Sequence, residues 1–158
     1  MATSKADMKA AYPLPVYNYK VDIGKDTIAF SEVTGLNITY EKTTYKESQT
    51  EPGKTGPRVF YMPAQAGAIT VTLKKGLVPA KSQAALYDWI TSISLNQVEK
   101  KDVTISLHSE TGDAVVTWTI HDAFPTKLEA PAFNASSNDT AIESMELMAD
   151  GISINYKP

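Results

Sequence analysis

Residues 123–152 read AFPTKLEAPAFNASSNDTAIESMELMADGI. The stretch opens on a proline-bounded corner, passes through a small polar link and ends in two short strand-like runs split by Asp150-Gly151. An Asp-Gly pair between apolar runs is a two-residue hairpin signal of the kind that favours a type I′ turn. Outward from it, apolar and polar residues alternate throughout the chain. Tyr17, Tyr19, Val21 and Ile23 are set against Asn18, Lys20 and Asp22. The period of two recurs at Leu36, Ile38 and Tyr40; at Ile69, Val71 and Leu73; at Val103, Ile105 and Leu107; at Val116, Trp118 and Ile120; and at Ile152, Ile154 and Tyr156. With residues 28–33 and 141–149 this predicts about eight strands. Gly24-Lys25-Asp26, Thr34-Gly35 and Thr111-Gly112-Asp113 supply further turns. The expected fold is mainly β, an antiparallel sandwich or barrel.

One segment departs from this period. After Pro79, Ser82 is placed to cap a helix over 82–93, whose Leu86, Trp89, Ile90 and Ile93 fall at i, i+3, i+4 and i+7. That stripe should pack across the sheets, with Trp89 and Trp118 as core anchors rather than ligand platforms. From 45 to 63 the chain reads YKESQTEPGKTGPRVFYMP, and its Pro and Gly residues interrupt any periodicity. An excursion of this length in a compact domain is functional or a floppy hairpin. Residues 1–11, polar and rich in Ala and Lys, lack the apolar mass to dock and are expected to be unstructured.

The chain of 158 residues fits one domain, 1–158. A formal net charge of -3 offers no footprint for gripping a polyanion. Without cysteine there is no disulfide framework and no thiolate site. The N-terminus has no apolar signal region and no stretch is long enough to span a bilayer, so the expectation is synthesis in the cytoplasm, with any exit by lysis or inside a larger particle.

Catalytic signals are weak. His108 and His121 could approach across a sheet, but Asp122 points to the opposite face from His121 and no metal set forms. A triad can be drawn from Ser106 or Ser109, His108 or His121 and Asp113 or Asp122, yet no nucleophile elbow positions a serine. Glu143 and Glu146, three apart on a strand, face opposite sides. No glycine arrangement cradles a phosphate. No enzyme, cofactor or metal is expected. The polar strand faces are instead rich in small uncharged groups: Thr70, Thr72, Thr104, Ser106, Thr117, Thr119, Ser153 and Asn155. These suit a solvated sheet, or the wall of a wide lumen if sheets of several subunits join edge to edge. A different class, a carbohydrate-binding sandwich, would use Tyr17, Tyr19 and Trp118 as stacking surfaces with Asn37 or Asn155 as hydroxyl partners. Those aromatics alternate in phase with Val, Ile and Leu, which turns them toward a core.

Residues 123–152, with YPLPVYNYKV at 12–21, FSEVTGL at 30–36, YMPAQ at 61–65, LKKGL at 73–77 and LYDWITSISLNQVEKKDVTISL at 86–107, resemble the inner tube proteins of contractile phage tails and phage-derived injection systems. The last block looks most like the extracellular contractile injection systems. The resemblance implies a hexameric ring with a continuous inner barrel, stacked into a rigid tube that a contractile sheath surrounds. It implies a long inter-subunit loop at 45–63, anchored by Val59, Phe60 and Tyr61. The implied partners are other copies of the chain, sheath, baseplate and spike, cap proteins and an effector cargo, with nucleic acid only in a phage. No direct membrane anchor is implied, and a baseplate tube-initiator paralogue would share the fold.

Overall fold

The computed structural model describes residues 2–157. Ten strands are present among them: β1 (Tyr19–Ile23), β2 (Asp26–Ile28), β3 (Glu32–Thr34), β4 (Tyr40–Glu47), β5 (Arg58–Ala66), β6 (Ile69–Gly76), β7 (Lys101–His108), β8 (Ala114–Glu129), β9 (Ile142–Ala149) and β10 (Gly151–Tyr156). The ladder runs β2-β1-β7-β8-β9-β6-β3 with β10 also on β8, and every pairing is antiparallel.

The sixteen-residue β8 turns this ladder into two layers. Its first half lies between β7 and β10, completing sheet I with β1 and β2. Its second half pairs β9, completing sheet II with β6 and β3. The corner falls at Asp122, whose φ of 52 is rare for a residue with a side chain and whose N–H donates to the Asp102 carboxylate at 3.0 Å. A register shift at Pro125/Lys127 adds the bend that takes the strand into the second layer.

The Asp150-Gly151 signal does a different job from the hairpin expected of it. Neither residue has positive φ, which a type I′ turn requires at both positions. β9 and β10 do not pair with each other; they run as one bent line along a single edge of β8, in unbroken register from Met148↔Phe124 through Gly151↔His121 to Tyr156↔Val116. Asp150 N–H donates to the His121 carbonyl at 3.0 Å across the corner. The Gly24 and Gly112 turns do join paired strands.

Residues 36–40, expected as a strand, lie mostly between β3 and β4. Gly35 explains the break: its φ of 92 is open to glycine, and a Cβ there would press against the Thr70 carbonyl oxygen. Gly35→Ala is expected to cost at least about 1–2 kcal/mol from the left-handed backbone alone, seen as a lowered denaturation midpoint. A midpoint equal to wild type would show that the β3–β6 approach is looser than the structure gives.

The core lies between the layers. Val21, Ile23, Val103, Ile105 and Ile120 of sheet I meet Ile69, Val71, Leu73, Met145 and Leu147 of sheet II. The helical segment covers one side. It starts earlier than the cap reading placed it, with Pro79 in the first turn, and comprises α-helix Pro79–Ser82, a π-helical turn Gln83–Tyr87 and α-helix Asp88–Thr91. Ser82 is therefore inside the helix, and its buried hydroxyl accepts from Val78 N–H at 3.2 Å. Leu86 and Trp89 enter the core, and the Trp89 indole N–H donates to the Glu99 carbonyl at 2.7 Å. Ile93 does not join the stripe: the helix stops at Thr91 and Ile93 is exposed. Trp118 shares the core phase but sits half-buried at the rim of the layers. Trp89, 3% exposed, should lose about 3–5 kcal/mol on truncation to Ala, as large core aromatics do. Equilibrium denaturation of Trp89→Ala reads this, and an unchanged midpoint would contradict the packing described.

Lys75 and Glu143 are also buried, directly opposite each other on β6 and β9, with Nζ and Oε1 3.7 Å apart. The ammonium donates to the Gly76 carbonyl at 3.0 Å and to Ser82 Oγ at 3.1 Å. Glu143 Oε1 has no hydrogen-bond partner among the described residues. Glu146 points to the outer face, as strand geometry dictated.

The N-terminal arm carries more local structure than its composition suggested. Residues Lys5–Ala11 form a helix because Ser4 caps it: Ser4 Oγ accepts from Asp7 N–H, and the Asp7 carboxylate accepts from Ser4 N–H. The Ser4 contacts hold the Asp7 carboxyl below its usual pKa. This helix buries no residue.

Candidate assembly surfaces

Two strand edges are left over when β8 changes layer. Beyond the corner β7 no longer accompanies β8, so residues 124–129 present one free edge in sheet II. β10 pairs only β8 and presents the other in sheet I. The outer edges of β2 and β3 and both edges of the β4–β5 pair are also free among the described residues. A free edge is a row of unmatched N–H and C=O groups, and such rows promote pairing with another chain.

Sheet II also extends outward. Gly67 N–H donates to the Thr39 carbonyl between the β3–β6 pair and the β4–β5 pair, so the two form one long hairpin. The 45–63 segment is thus largely a two-stranded ribbon with a tip at 48–57. Its predicted anchor residues alternate across the ribbon. Phe60 stacks on Tyr45, with centroids 6.1 Å apart, and lies under the Arg58 guanidinium at 5.2 Å. Val59 and Tyr61 occupy the other face, where Tyr61 is 80% exposed.

The eight small polar residues divide between the two outer faces of the sandwich. Thr104, Thr119 and Ser153 form one cross-strand row of sheet I, and Ser106, Thr117 and Asn155 the next. Thr70 and Thr72 lie on sheet II. A single lumen cannot be lined by both faces. The sheet II face also carries Glu32, Lys74, Ser144 and Glu129 in one row and Thr34, Thr72, Glu146 and Lys127 in another. Two ion pairs lie on it, Lys74–Glu32 at 3.6 Å and Lys127–Glu129 at 3.4 Å.

Both histidines project from the polar face of sheet I. His108 Nδ1 lies 2.8 Å from the Gly112 carbonyl, which can only accept, so Nδ1 carries a proton. Its Nε2 lies 2.9 Å from Ser106 Oγ. The ring's contacts among the described residues are thus a hydroxyl and a carbonyl, and Asp113 accepts instead from the Thr111 hydroxyl at 3.1 Å. His121 Nε2 contacts Ser153 Oγ at 2.9 Å. No group of three or more His, Cys, Asp or Glu is placed to hold a metal among the described residues.

The residues of a glycan platform do not form one surface: Tyr19 borders both Tyr17 and Trp118, but in two different cavities. Tyr17 does not turn toward the core: it precedes β1, is 82% exposed and, with Tyr19, Phe30, Val78 and Lys81, lines a groove of about 920 Å³ between β1–β2 and the helix. Trp118 lines a second hollow of about 310 Å³ between the layers, with Tyr19, Val33, Leu36 and Leu107. The Tyr19 hydroxyl donates to the Phe30 carbonyl at 2.6 Å, and burial followed by the Glu32 charge raises its pKa. Asn155 is on the outer face of sheet I, away from Trp118.

Residues 15–153 match the family model of the T4-like virus tail tube protein gp19, and the chain belongs to this family of tail tube proteins. It is similar to a chain in the PVC extracellular contractile injection system sheath-tube complex in the extended state, at 41% identity over 98% of this chain and 99% of that one, with a TM-score of 0.87. It is similar to a chain of the anti-feeding prophage tube-terminating cap, at 40% identity, 92% coverage of both chains and a TM-score of 0.83. A chain in the PVC sheath/tube terminator is 43% identical over 91% of this chain and 97% of that one, with a TM-score of 0.81. A crystal structure of an Hcp protein, 14% identical over 88% of this chain and 92% of that one with a TM-score of 0.51, shares the fold. No curated protein gives a match.

Proposed function

We propose that this chain builds the inner tube of an extracellular contractile injection system, and that sheet II makes the tube wall. The observation that carries this reading is a four-stranded sheet with free edges on both sides in a chain of the tail tube family. A ring closes when one surface of each subunit binds a different surface of the next. The β8 edge at 124–129 on one subunit and the β3–β4 edge on the next provide such a pair. Sheet I is less suited, because it ends at the three-residue β2, whereas the equally short β3 is continued along the same hairpin by the eight-residue β4.

Six subunits would close the ring and set the outer face of sheet II toward the bore. Thr70 and Thr72 would then face the lumen, and Thr104, Ser106, Thr117, Thr119, Ser153 and Asn155 would lie elsewhere on the ring. The β4–β5 ribbon leaves the domain in line with this sheet and would reach the adjacent ring, with Val59, Phe60 and Tyr61 among its contacts. The rings would stack into a hollow, rigid tube surrounded by a contractile sheath, begun at a baseplate and spike and ended by a cap. The sheath–tube and cap assemblies in which similar chains occur support the sheath and the cap as partners.

Sheath rearrangement would supply the work of penetrating a target envelope, so the subunit needs stiffness and a smooth bore rather than catalysis or a cofactor. Effector protein would be the cargo. The particle would assemble in the cytoplasm and be released by lysis. Negative-stain electron microscopy of the purified protein over a concentration series tests the reading. Six-fold rings or stacked hollow tubes are expected, and a dispersed monomer at every concentration would count against it.

A further inference from the structure

The segment YPLPV at residues 12–16 lies between the N-terminal helix and β1. Pro13 and Pro15 have fixed φ and push Tyr12 and Leu14 toward extended backbone; Tyr12 has φ -87 and ψ 142. In an extended chain residues 12, 14 and 16 share one face and direct their backbone groups to one edge. The two prolines sit at the alternate positions and lack an N–H for the opposite edge. The segment is unpaired in its own chain, and when extended it can pair on one side only. Its outward apolar side chains have no cover: Tyr12 is 54%, Leu14 41% and Val16 84% exposed. The preceding helix buries nothing either.

The free edge of β10 has the complementary form. Ile152, Ile154 and Tyr156 face the core layer, yet the first two are only half-buried and Tyr156 is exposed, because no strand continues sheet I beyond them. In its own chain the segment departs from β1, with β7 and β8 between it and β10. We infer that residues 12–16 of one copy add as an edge strand to β10 of a second copy, laying Tyr12, Leu14 and Val16 beside Ile152, Ile154 and Tyr156. This rests on the tube reading and assigns it a second subunit contact, separate from the sheet II edges. The paired prolines leave the added strand with a blunt outer edge, so the addition stops after one strand.

The chain has no cysteine, which makes the contact directly testable. Leu14→Cys and Ile154→Cys, at the centres of the two strands, are prepared separately, mixed, assembled and mildly oxidised; Leu14→Cys with Lys127→Cys is the control pair. The expected result is a Leu14–Ile154 heterodimer as the main cross-linked species, with the control pair unlinked. Tubes that form but give no such heterodimer, or that link Leu14 to position 127, overturn the inference and leave the tube reading standing. Wild-type protein that forms neither rings nor tubes overturns both. As a second measurement, Leu14→Asp/Val16→Asp should raise the concentration at which tubes appear by at least about tenfold while the far-ultraviolet circular dichroism stays that of wild type. An unchanged threshold would contradict the contact.

Discussion

Lys75→Met is expected to destabilise the protomer by about 3–5 kcal/mol, the usual cost of removing one partner from a buried ion pair. The reason is the partner left behind. Glu143 is nearly inaccessible, and its Oε1 already lacks a hydrogen bond, so loss of the ammonium 3.7 Å away strands a carboxylate among Leu73, Met145 and the helix. The same change also removes the donor to Ser82 and the Gly76 carbonyl, where the helix joins β6. Lys75→Met/Glu143→Leu should recover most of the loss, because two apolar side chains of similar volume avoid the desolvation of both charges. Guanidinium unfolding of the two variants beside wild type decides this. A single variant within about 0.5 kcal/mol of wild type, or a double variant no better than the single, would mean that the pair is solvated.

Replacing Val59, Phe60 and Tyr61 together with serine should prevent rings from stacking while leaving the protomer folded. The ribbon makes no contribution to the core cluster, so its loss of apolar surface acts on assembly. Each fully buried side chain of this size contributes about 1.5–3 kcal/mol, and every subunit of a ring would lose it. Electron microscopy should show short rings in place of tubes, with unfolding unchanged. Because Phe60 faces away from Val59 and Tyr61, the single variants Phe60→Ser and Tyr61→Ser also report which ribbon face meets the neighbour. Tubes of wild-type length and stability from the triple variant would sink this role for the ribbon.

The strands with a buried face were the legible part of the sequence. Val21 and Ile23, Ile69 to Leu73 and Val103 and Ile105 alternate because one side meets the core, and the period of two records that. The β4–β5 ribbon was not legible as strands, since neither face is buried in the protomer and nothing imposes alternation. Asp150-Gly151 misled because an Asp-Gly pair encodes only local freedom; here the direction of the chain is set by the long β8, whose bend the paired strand must follow. Ser82 looked like a cap until the fold supplied Lys75 as its partner, a contact between residues seven apart that only the packed helix creates.

The candidate surface divided in the same way. Small polar residues were recognisable on strand faces, but the side of the sandwich to which each strand belongs depends on the β8 crossover. Thr70 and Thr119 look alike in sequence and lie on opposite layers. Lys75 and Glu143 were missed as a pair for a related reason: their inward phase matched Leu73 and Met145, yet charged residues at the end of a strand read as solvated.

A reconstruction of the assembled tube by cryo-electron microscopy tests the central claim most directly. The predicted result is an inner wall made of sheet II, continuous around each ring, with the 124–129 edge of one subunit beside the β3–β4 edge of the next and Thr70 and Thr72 facing the bore. A tube whose bore is lined by the Thr104, Thr119 and Ser153 face of sheet I, with the 124–129 edge unpaired, would contradict it.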